Sequence, residues 1–377
     1  MHRVPRAGRR AAAGVAGADN ALMDQDAAHL AADRPARDAA DRAADGPARD
    51  AVLDGLAPAG ALAGVRGLLL DLDGVLIVRG EALPSAVAAL ETLRHRGIPF
   101  RVITNTSAMS RATLAQFGAR AGLDVPAAHI MSSLSATAAY TARALPGRPL
   151  YVLATPDALT EFAGQWLLGH GEADAAGAHA AAVVVGDSPD DVRYETLNRA
   201  FRLLRGGAEL IAMHRNRWWI TPDGPRLDSG AIVAGLEYAI ERPALVLGKP
   251  SRVFFAEGVR HLADELRARG GSGETGATVG TRGTGRPLRR GEVAMVGDDL
   301  WADVLGGQRA GLRGVLVLTG KHGWTEVERA ANERRGGGRP DAIAPSVAEV
   351  VAALDSASLT PRLCPSRRRL PDSRSER

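Results

Sequence analysis

The stretch LLLDLDG, residues 68–74, is the part of this chain that determines its fold. An apolar run that ends abruptly in Asp71 and Asp73 is the pattern of a buried strand reaching the edge of a parallel sheet. α/β folds build their binding sites at that edge, and Gly74 lets the backbone turn away sharply. Carboxylates this close repel each other, and a divalent cation with oxygen ligands relieves the repulsion. Taken alone, the motif is equally compatible with solvated aspartates at an ordinary strand end.

Strand-like and helix-like blocks alternate along the chain from Val65 onward. The strand-like blocks are VRGLLLD (65–71), PFRVIT (99–104), LYVLA (150–154), AAVVVG (181–186), ELIAM (209–213), ALVLG (244–248), EVAMVG (292–297) and RGVLVLTG (313–320). Buried strands joined by helices are typical of a parallel α/β sheet. We therefore predict an α/β protein with a Rossmann-like parallel sheet at its core.

The composition along the chain divides it into domains. We predict a disordered low-complexity extension over 1–64, a core over 65–146 and 244–355, an inserted cap domain over 147–243, a flexible Gly-rich loop over 270–290 and a disordered basic tail over 356–377. The extension has too few large apolar residues to offset the entropy of ordering it. The Gly-rich loop is too long for a typical connection in a compact domain.

Net charge and composition exclude several classes of protein. The 377 residues include 47 basic and 43 acidic ones, for a net charge of +4 and a pI of about 9.7. Residues 356–377 alone carry six arginines against two acidic residues, so the rest of the chain is neutral and we predict no nucleic-acid partner. No run reaches the ~18 apolar residues of a membrane helix, so we predict no membrane partner. Cys364 is the only cysteine, which excludes an internal disulfide and a cysteine-based zinc site.

Lysine is scarce, because Lys249 and Lys321 are the only two in the chain and every other basic residue is arginine. A general bias towards arginine explains why the basic residues on an ordinary surface are arginines. Under such a bias, a retained lysine marks a place where a compact ammonium is required. Lys249 follows a predicted strand in ALVLGKPS (244–251), where it could neutralise phosphate as a point cation. Lys321 is the weaker candidate.

Two further predicted strands end in polar side chains. FRVITNTS (100–107) ends in Thr104 and Asn105, whose hydroxyl and amide could donate hydrogen bonds to phosphoryl oxygens, although a helix cap is the simpler reading of these residues in isolation. EVAMVGDDLWADV (292–304) ends in Asp298 and Asp299, with Asp303 following. Mg²⁺ commonly binds through one or two carboxylates and several waters.

A fifth strand end has a similar appearance but receives a different interpretation. VVVGDSPDD (183–191) also places Gly-Asp after an apolar strand, but it lies in the inserted domain and no lysine motif precedes it. We interpret Asp187, Asp190 and Asp191 as turn and cap residues.

The ordered set strand–DxDG, strand–TN, strand–GKP and strand–GDDxxxD resembles the haloacid dehalogenase (HAD) superfamily of phosphatases. Within it, the chain is similar to the NagD-like subfamily IIA, whose C2-type α/β cap lies between the second and third motifs. The resemblance runs from about Val65 to Leu354. It implies a cytoplasmic, Mg²⁺-dependent phosphatase for a small phosphorylated metabolite, with a cap that closes over the site. It also allows a homodimer through the cap, since capped relatives often dimerise there.

The resemblance implies a role in the reaction or in metal binding for Asp71, Asp73 and Asp298. Asp71 would be the nucleophile that forms an aspartyl-phosphate. Asp73 would protonate the leaving oxygen and then activate water, which argues against a true dehalogenase. Mg²⁺ would be bound by the Asp71 carboxylate, the Asp73 backbone carbonyl and Asp298.

For the remaining residues the resemblance implies supporting roles. Thr104, Asn105 and Lys249 would hold the phosphoryl oxygens. Asp299 and Asp303 would orient the metal ligand or Lys249.

In the cap, the candidate contacts for the leaving group are His214, Arg215, Asn216 and the 228–230 turn (Asp-Ser-Gly). An ordinary surface loop and helix cap explain each of them equally well. Trp218 and Trp219 are adjacent, so in a strand one faces in and the other out.

Two other functions stay open at this point. A phosphotransferase or mutase of the same fold would pass the phosphoryl group to a second hydroxyl. A non-catalytic module would only bind a phosphorylated ligand, but the intact set Asp71, Asp73, Lys249 and Asp298 argues against it. The sequence does not identify the leaving group.

Overall fold

The structure is a computed structural model that describes residues 58–188, 192–221, 224–271, 286–332 and 338–359. The predicted extension up to residue 57, most of the Gly-rich loop and the basic tail from residue 360 lie outside the described residues, as do Asp190 and Asp191. Within the described residues we find no helix with the length and apolar character of a membrane span.

Helices and strands alternate along the described chain, as the sequence predicts. The helices are α1 (Pro58–Ala61), α2 (Pro84–His95), α3 (Arg111–Arg120), α4 (Ser133–Ala144), α5 (Pro156–Leu159), α6 (His170–Asp174), α7 (Tyr194–Arg205), α8 (Gly230–Ile240), α9 (Arg252–Gly271), α10 (Gly306–Arg309), α11 (Trp324–Asn332) and α12 (Val347–Leu359). The strands are β1 (Gly67–Asp71), β2 (Ile77–Val78), β3 (Glu81–Ala82), β4 (Phe100–Thr104), β5 (Ile130–Ser132), β6 (Leu150–Leu153), β7 (Ala182–Val185), β8 (Glu209–Ala212), β9 (Trp218–Thr221), β10 (Gly224–Leu227), β11 (Leu245–Val246), β12 (Val293–Gly297), β13 (Arg313–Val317) and β14 (Ala342–Ala344).

The core is a six-stranded sheet of order β14-β13-β12-β1-β4-β5 in which every pair is parallel. Leu68 and Leu70 of β1 face one apolar cluster, and Leu69 faces another on the opposite side. Both faces of β1 are therefore buried, which explains why its sequence is continuously apolar rather than alternating. The predicted α/β fold with a parallel-sheet core is confirmed.

The cap is built on a second parallel sheet, of order β11-β8-β7-β6. Its helices α7 and α8 contribute Leu203 and Leu236 to an apolar cluster with Val183 of β7. The antiparallel hairpin β9–β10 projects from this domain, with Trp218 paired to Leu227. The cap thus has a hydrophobic core of its own.

One strand that we predicted for the core sheet belongs to the cap sheet instead. We assigned ALVLG (244–248) to the catalytic core, but Leu245 and Val246 pair with Ile211 and Ala212 of β8 in the cap sheet. A short apolar run has the same composition in either sheet, and only pairing between distant residues distinguishes them. The chain therefore returns to the core after residue 246 rather than before 244.

Three predicted domain limits also shift. The folded part begins before residue 65, since Pro58–Ala61 is helical and Leu62 is buried in the core. Helix α9 continues to Gly271, and α12 continues to Leu359. Small residues such as alanine and glycine carry little periodic signal, so their composition resembles that of a linker even where the backbone is helical.

Candidate active site

The candidate site lies at the carboxyl edge of the core sheet. Strands β12, β1 and β4 are neighbours and run parallel, so their carboxyl ends lie side by side. Asp71 ends β1, Thr104 ends β4 and Asp298 comes directly after β12. The topology therefore brings together three motifs that lie far apart in sequence, as the sequence predicts.

Lys249 lies between two carboxylates in the centre of the site. Its Nζ is 2.6 Å from Oδ1 of Asp71 and 2.7 Å from Oδ1 of Asp303. All three side chains are buried, and the backbone N–H of Leu72 donates a second hydrogen bond of 2.8 Å to Asp71 Oδ1. Burial alone would lower the pKa of Lys249, but the carboxylates of Asp303 and Asp71 outweigh it and the pKa is raised. The two carboxylates therefore favour the charged form of Lys249 at the site.

The acidic groups exceed what Lys249 can neutralise. Carboxylate oxygens of Asp71, Asp298 and Asp303 lie within 4.8 Å of one another. Burial raises the pKa of both Asp71 and Asp298 to about 7, and the neighbouring carboxylates contribute to the rise. Buried carboxylate oxygens with excess negative charge are the donor set of a hard divalent cation, so these residues fit Mg²⁺.

Asp298 sits in a cradle formed by two glycines. A Cβ atom on Gly74, which has a φ of +81°, or on Gly320 would overlap the Asp298 carboxylate. Oδ2 of Asp298 also accepts the backbone N–H of Lys321 at 2.6 Å. The surrounding backbone thus leaves the Asp298 side chain little room to change its orientation.

Asp73 differs from Asp71 in being exposed. Its Oδ2 lies 3.4 Å from the hydroxyl of Thr106, which donates to it. A carboxylate at the open side of the site can reach both a leaving group and water, which is what an acid and base must do.

The side chains of Thr104 and Asn105 form hydrogen bonds with neighbouring residues of the site. The Thr104 hydroxyl accepts the N–H of Thr106 and donates to its hydroxyl, both at 3.0 Å. The Asn105 amide bonds to both backbone groups of Lys249, accepting N–H at 2.8 Å and donating to C=O at 3.1 Å. Asn105 also donates to Oδ1 of Asn216 in the cap at 3.2 Å. Asn105 therefore holds the backbone of Lys249, a contact that the sequence does not signal.

Asp299 and Lys321 form the rim of the site. Asp299 accepts the N–H groups of Trp301 and Ala302 at 3.0 and 2.9 Å, so it caps the short π-helix at 300–305. Lys321 Nζ lies 3.0 Å from Asp299 and 5.4 Å from the ring centroid of Trp218 in the cap hairpin. Trp218 thus faces the core, whereas Trp219 is half-exposed, in agreement with the predicted alternation.

The remaining cap candidates are engaged elsewhere. His214 is 1% exposed and contacts protein groups, so the structure does not place it against a leaving group. Arg215 pairs with Glu237 at 2.9 Å. Asp187, which we interpreted as a turn residue, lies beside His214 and Asp228 and binds Ser107 of the core. That interpretation missed the contact of Asp187 with His214 and Asp228, because the sequence signalled these three residues separately and not as one cluster.

Comparison with known sequences supplies independent information. Residues 68–165 match the family model described as haloacid dehalogenase-like hydrolase, and residues 246–350 match a second model of HAD-like hydrolases. The chain is 35% identical over 269 residues to haloacid dehalogenase-like hydrolase domain-containing protein 2 of Bos taurus, covering 71% of this chain and 88% of that protein. It is 32% identical over 269 residues to phospholysine phosphohistidine inorganic pyrophosphate phosphatase of Danio rerio, covering 69% and 85%.

Solved structures of similar fold include a phosphatase and NagD. A p-nitrophenyl phosphatase from Archaeoglobus fulgidus superimposes with a TM-score of 0.64 and 26% identity, covering 77% of this chain and 99% of that one. NagD from Escherichia coli K-12 superimposes with a TM-score of 0.60 and 26% identity, covering 76% and 98%. The similarity spans nearly the whole of both solved structures and about three quarters of this chain.

Proposed function

This chain belongs to the haloacid dehalogenase-like hydrolases, as its four motifs predict, and we propose that it is a Mg²⁺-dependent phosphatase that acts on a small phosphorylated metabolite through an aspartyl-phosphate on Asp71. Named phosphatases among its relatives and structural neighbours support the reaction class. The observation that carries the proposal is the buried Asp71 carboxylate held by Lys249 at the end of the central strand.

The contacts of Asp71 hold its carboxylate in place. Lys249 and the N–H of Leu72 both bind Oδ1. A carboxylate oxygen of Asp71 would attack phosphorus, forming an O–P bond as the bond from phosphorus to the leaving oxygen breaks. Splitting hydrolysis into two displacements in this way lowers each barrier.

Asp73 would move the proton in both steps. As an acid it protonates the leaving oxygen, and as a base it then takes a proton from the water that attacks the aspartyl-phosphate. The second step releases inorganic phosphate and regenerates Asp71. The exposure of Asp73 and its contact with the Thr106 hydroxyl suit a group that must meet both the leaving group and solvent.

The remaining motif residues would bind and orient the phosphoryl group. Lys249 would neutralise its oxygens, Thr104 and Asn105 would line its binding loop, and Asn105 would also hold the Lys249 backbone in place. Asp71, Asp298 and the backbone carbonyl of Asp73 would hold Mg²⁺. When bound, that ion supplies positive charge that offsets the charge on the transferring phosphoryl oxygens.

The test is hydrolysis of p-nitrophenyl phosphate with Mg²⁺. We expect Asp71→Asn to reduce kcat by at least about 1,000-fold, because the amide cannot act as the nucleophile. Asp174→Asn, at the exposed Asp174–Arg199 ion pair of the cap, is the matched control and should retain activity. Full activity of Asp71→Asn would contradict the proposal.

The acceptor of the phosphoryl group and the identity of the leaving group stay predictions. A transfer assay with sugar phosphates separates hydrolysis from the mutase alternative, since only a mutase returns the phosphoryl group to a second hydroxyl. A panel of phosphorylated metabolites would identify the leaving group. Location in the cytoplasm and a homodimer through the cap also stay predictions.

A further inference from the structure

We infer that Ser107, held by Asp187 and His214 of the cap, is a positioning residue that fixes the phosphoryl-binding loop 104–106. We call Ser107, Asp187, His214 and Asp228 the cap junction. The inference rests on the proposed function, because it concerns the loop that would bind the phosphoryl group.

The hydroxyl of Ser107 has every hydrogen-bonding position filled by the cap. It donates to Oδ2 of Asp187 at 2.9 Å, accepts the backbone N–H of Asp187 at 2.9 Å, and lies 3.0 Å from Nε2 of His214. A serine hydroxyl offers one donor and two acceptor positions, so these three partners saturate it. Ser107 belongs to the core domain, and its side chain is fully buried against the cap.

The cap side of the junction is closely packed. His214 is 1% exposed, and its Nε2 also lies 3.3 Å from Ser229 Oγ and 3.7 and 3.8 Å from carboxylate oxygens of Asp187 and Asp228. A Cβ on Gly186 would overlap the sulfur of Met213 and lie 3.3 Å from Ser107 Oγ. Glycine at position 186 therefore leaves room for Met213 inside the cap and for the close approach of Ser107 from the core.

The arrangement is not a serine–histidine–aspartate nucleophile. Both carboxylates and both hydroxyls approach Nε2 of His214, whereas Nδ1 faces the backbone N–H of Asn216 at 3.3 Å. A general base needs an orienting acceptor on the ring nitrogen opposite the hydroxyl. Ser107 is also closed to substrate, since its exposure is 0%. A structural link between domains is the role that this geometry fits.

The link continues from Ser107 into the active site. Thr106, its neighbour, is tied to Thr104 by two hydrogen bonds and donates to Asp73. Asn105 contacts both the backbone of Lys249 and Asn216 of the cap. The loop is thus held by the reacting groups on one side and by the cap junction on the other. A displacement of about 1 Å at such a loop costs on the order of 100-fold in rate.

The same interface supplies a matched control. Ser110 also joins core to cap, because its hydroxyl donates to Asp157 at 3.1 Å, and it caps α3 by accepting the N–H of Thr113 at 3.2 Å. Ser110 lies beyond the phosphoryl-binding loop. Ser110→Ala therefore removes the same atom from the same interface without touching the loop.

The experiment compares Ser107→Ala with Ser110→Ala in the full-length protein. It measures kcat and KM with Mg²⁺ on p-nitrophenyl phosphate and on glycerol 3-phosphate, and the rise in melting temperature caused by orthovanadate, a phosphoryl analogue. We expect Ser107→Ala to lower kcat/KM at least about tenfold and by the same factor on both substrates. We also expect it to reduce the orthovanadate shift, whereas Ser110→Ala changes stability but leaves both quantities within about twofold.

Several outcomes would overturn the inference. A loss that differs between the two leaving groups would make the junction a leaving-group contact, and an equal loss in the two variants would make it a general structural contact. If Ser107→Ala does not fold, Asp187→Asn perturbs the same hydrogen bond from the cap side and must give the same uniform loss. A wild-type protein that turns over neither substrate would contradict the proposed function, and the orthovanadate shift would then decide the inference alone.

Discussion

Lys249 is one of two lysines in an arginine-rich chain, and its ammonium lies between the carboxylates of Asp71 and Asp303. The space between two buried carboxylates admits a compact point charge on a flexible stem. A guanidinium is larger and planar, and it presents its donors in a fixed fork. The composition bias therefore identified a residue whose chemistry arginine cannot replace.

We expect Lys249→Arg to lower kcat/KM by about 100-fold, because it displaces the positive charge that stabilises the phosphoryl oxygens. Lys321→Arg makes the same change at the only other lysine, whose side chain is 40% exposed at the rim, and should cause a far smaller loss. Steady-state kinetics of the two variants with p-nitrophenyl phosphate provide the comparison. Equal losses would show that the buried ion pairs do not determine the choice of lysine.

The raised pKa values of Asp71 and Asp298 predict that Mg²⁺ binding depends on pH. Both groups have a pKa of about 7, so each is largely protonated at pH 6 and ionised at pH 8. The cation binds carboxylates, so its affinity should rise from pH 6 to pH 8 and binding should release protons near pH 7. Calorimetry in two buffers of different ionisation enthalpy measures that release. Binding without proton release and with constant affinity would contradict the prediction.

At the scale of elements, the site depends on the residues that come directly after the strands of the core sheet. β1, β4, β12 and β13 lead into the motifs around Asp71, Thr104, Asp298 and Gly320 respectively. The apolar strands and their polar ends could be read from the sequence, because a buried parallel strand has a continuous apolar pattern. The glycine cradle around Asp298 could not, because Gly74 and Gly320 approach the carboxylate from different strand ends.

We expect Gly320→Ala to increase the Mg²⁺ concentration for half-maximal activity by about tenfold or more, because the new Cβ displaces the Asp298 carboxylate. Gly323→Ala, three residues along the same loop, is the control, since its Cβ would have no neighbour nearer than 3.9 Å. A Mg²⁺ titration of activity compares the two variants. An unchanged titration for Gly320→Ala would mean that Asp298 does not hold the metal.

At the scale of the whole molecule, function depends on how the cap is joined to the core. The segment after β4 contacts the cap repeatedly, through Ser107 with Asp187, Ala108 with Thr155 and Ser110 with Asp157. The exposed pair Arg111–Glu161 extends this contact at 2.9 Å. The cap is therefore attached to the same segment that carries the phosphoryl-binding loop.

We expect removal of residues 360–377 to leave Mg²⁺-dependent activity within about twofold of the full chain. These residues carry six arginines and two acidic residues, which equal the entire net charge of +4, while all of the motif residues precede them. The altered charge should change retention on a cation-exchange column without changing kcat or KM. Loss of activity towards the preferred substrate would show that the tail takes part in recognition.

The sequence alone determined the family, the strands of the core and the residues that end them, because these depend on local apolar patterns and on the order of motifs along the chain. Only the tertiary structure decided that Leu245 and Val246 belong to the cap sheet, that Asn105 holds the backbone of Lys249 and that Asp187 joins the cap to Ser107. Each of these contacts joins residues that are distant along the chain, and a hydrogen-bonding side chain does not reveal in its local sequence which distant partner the fold will place beside it.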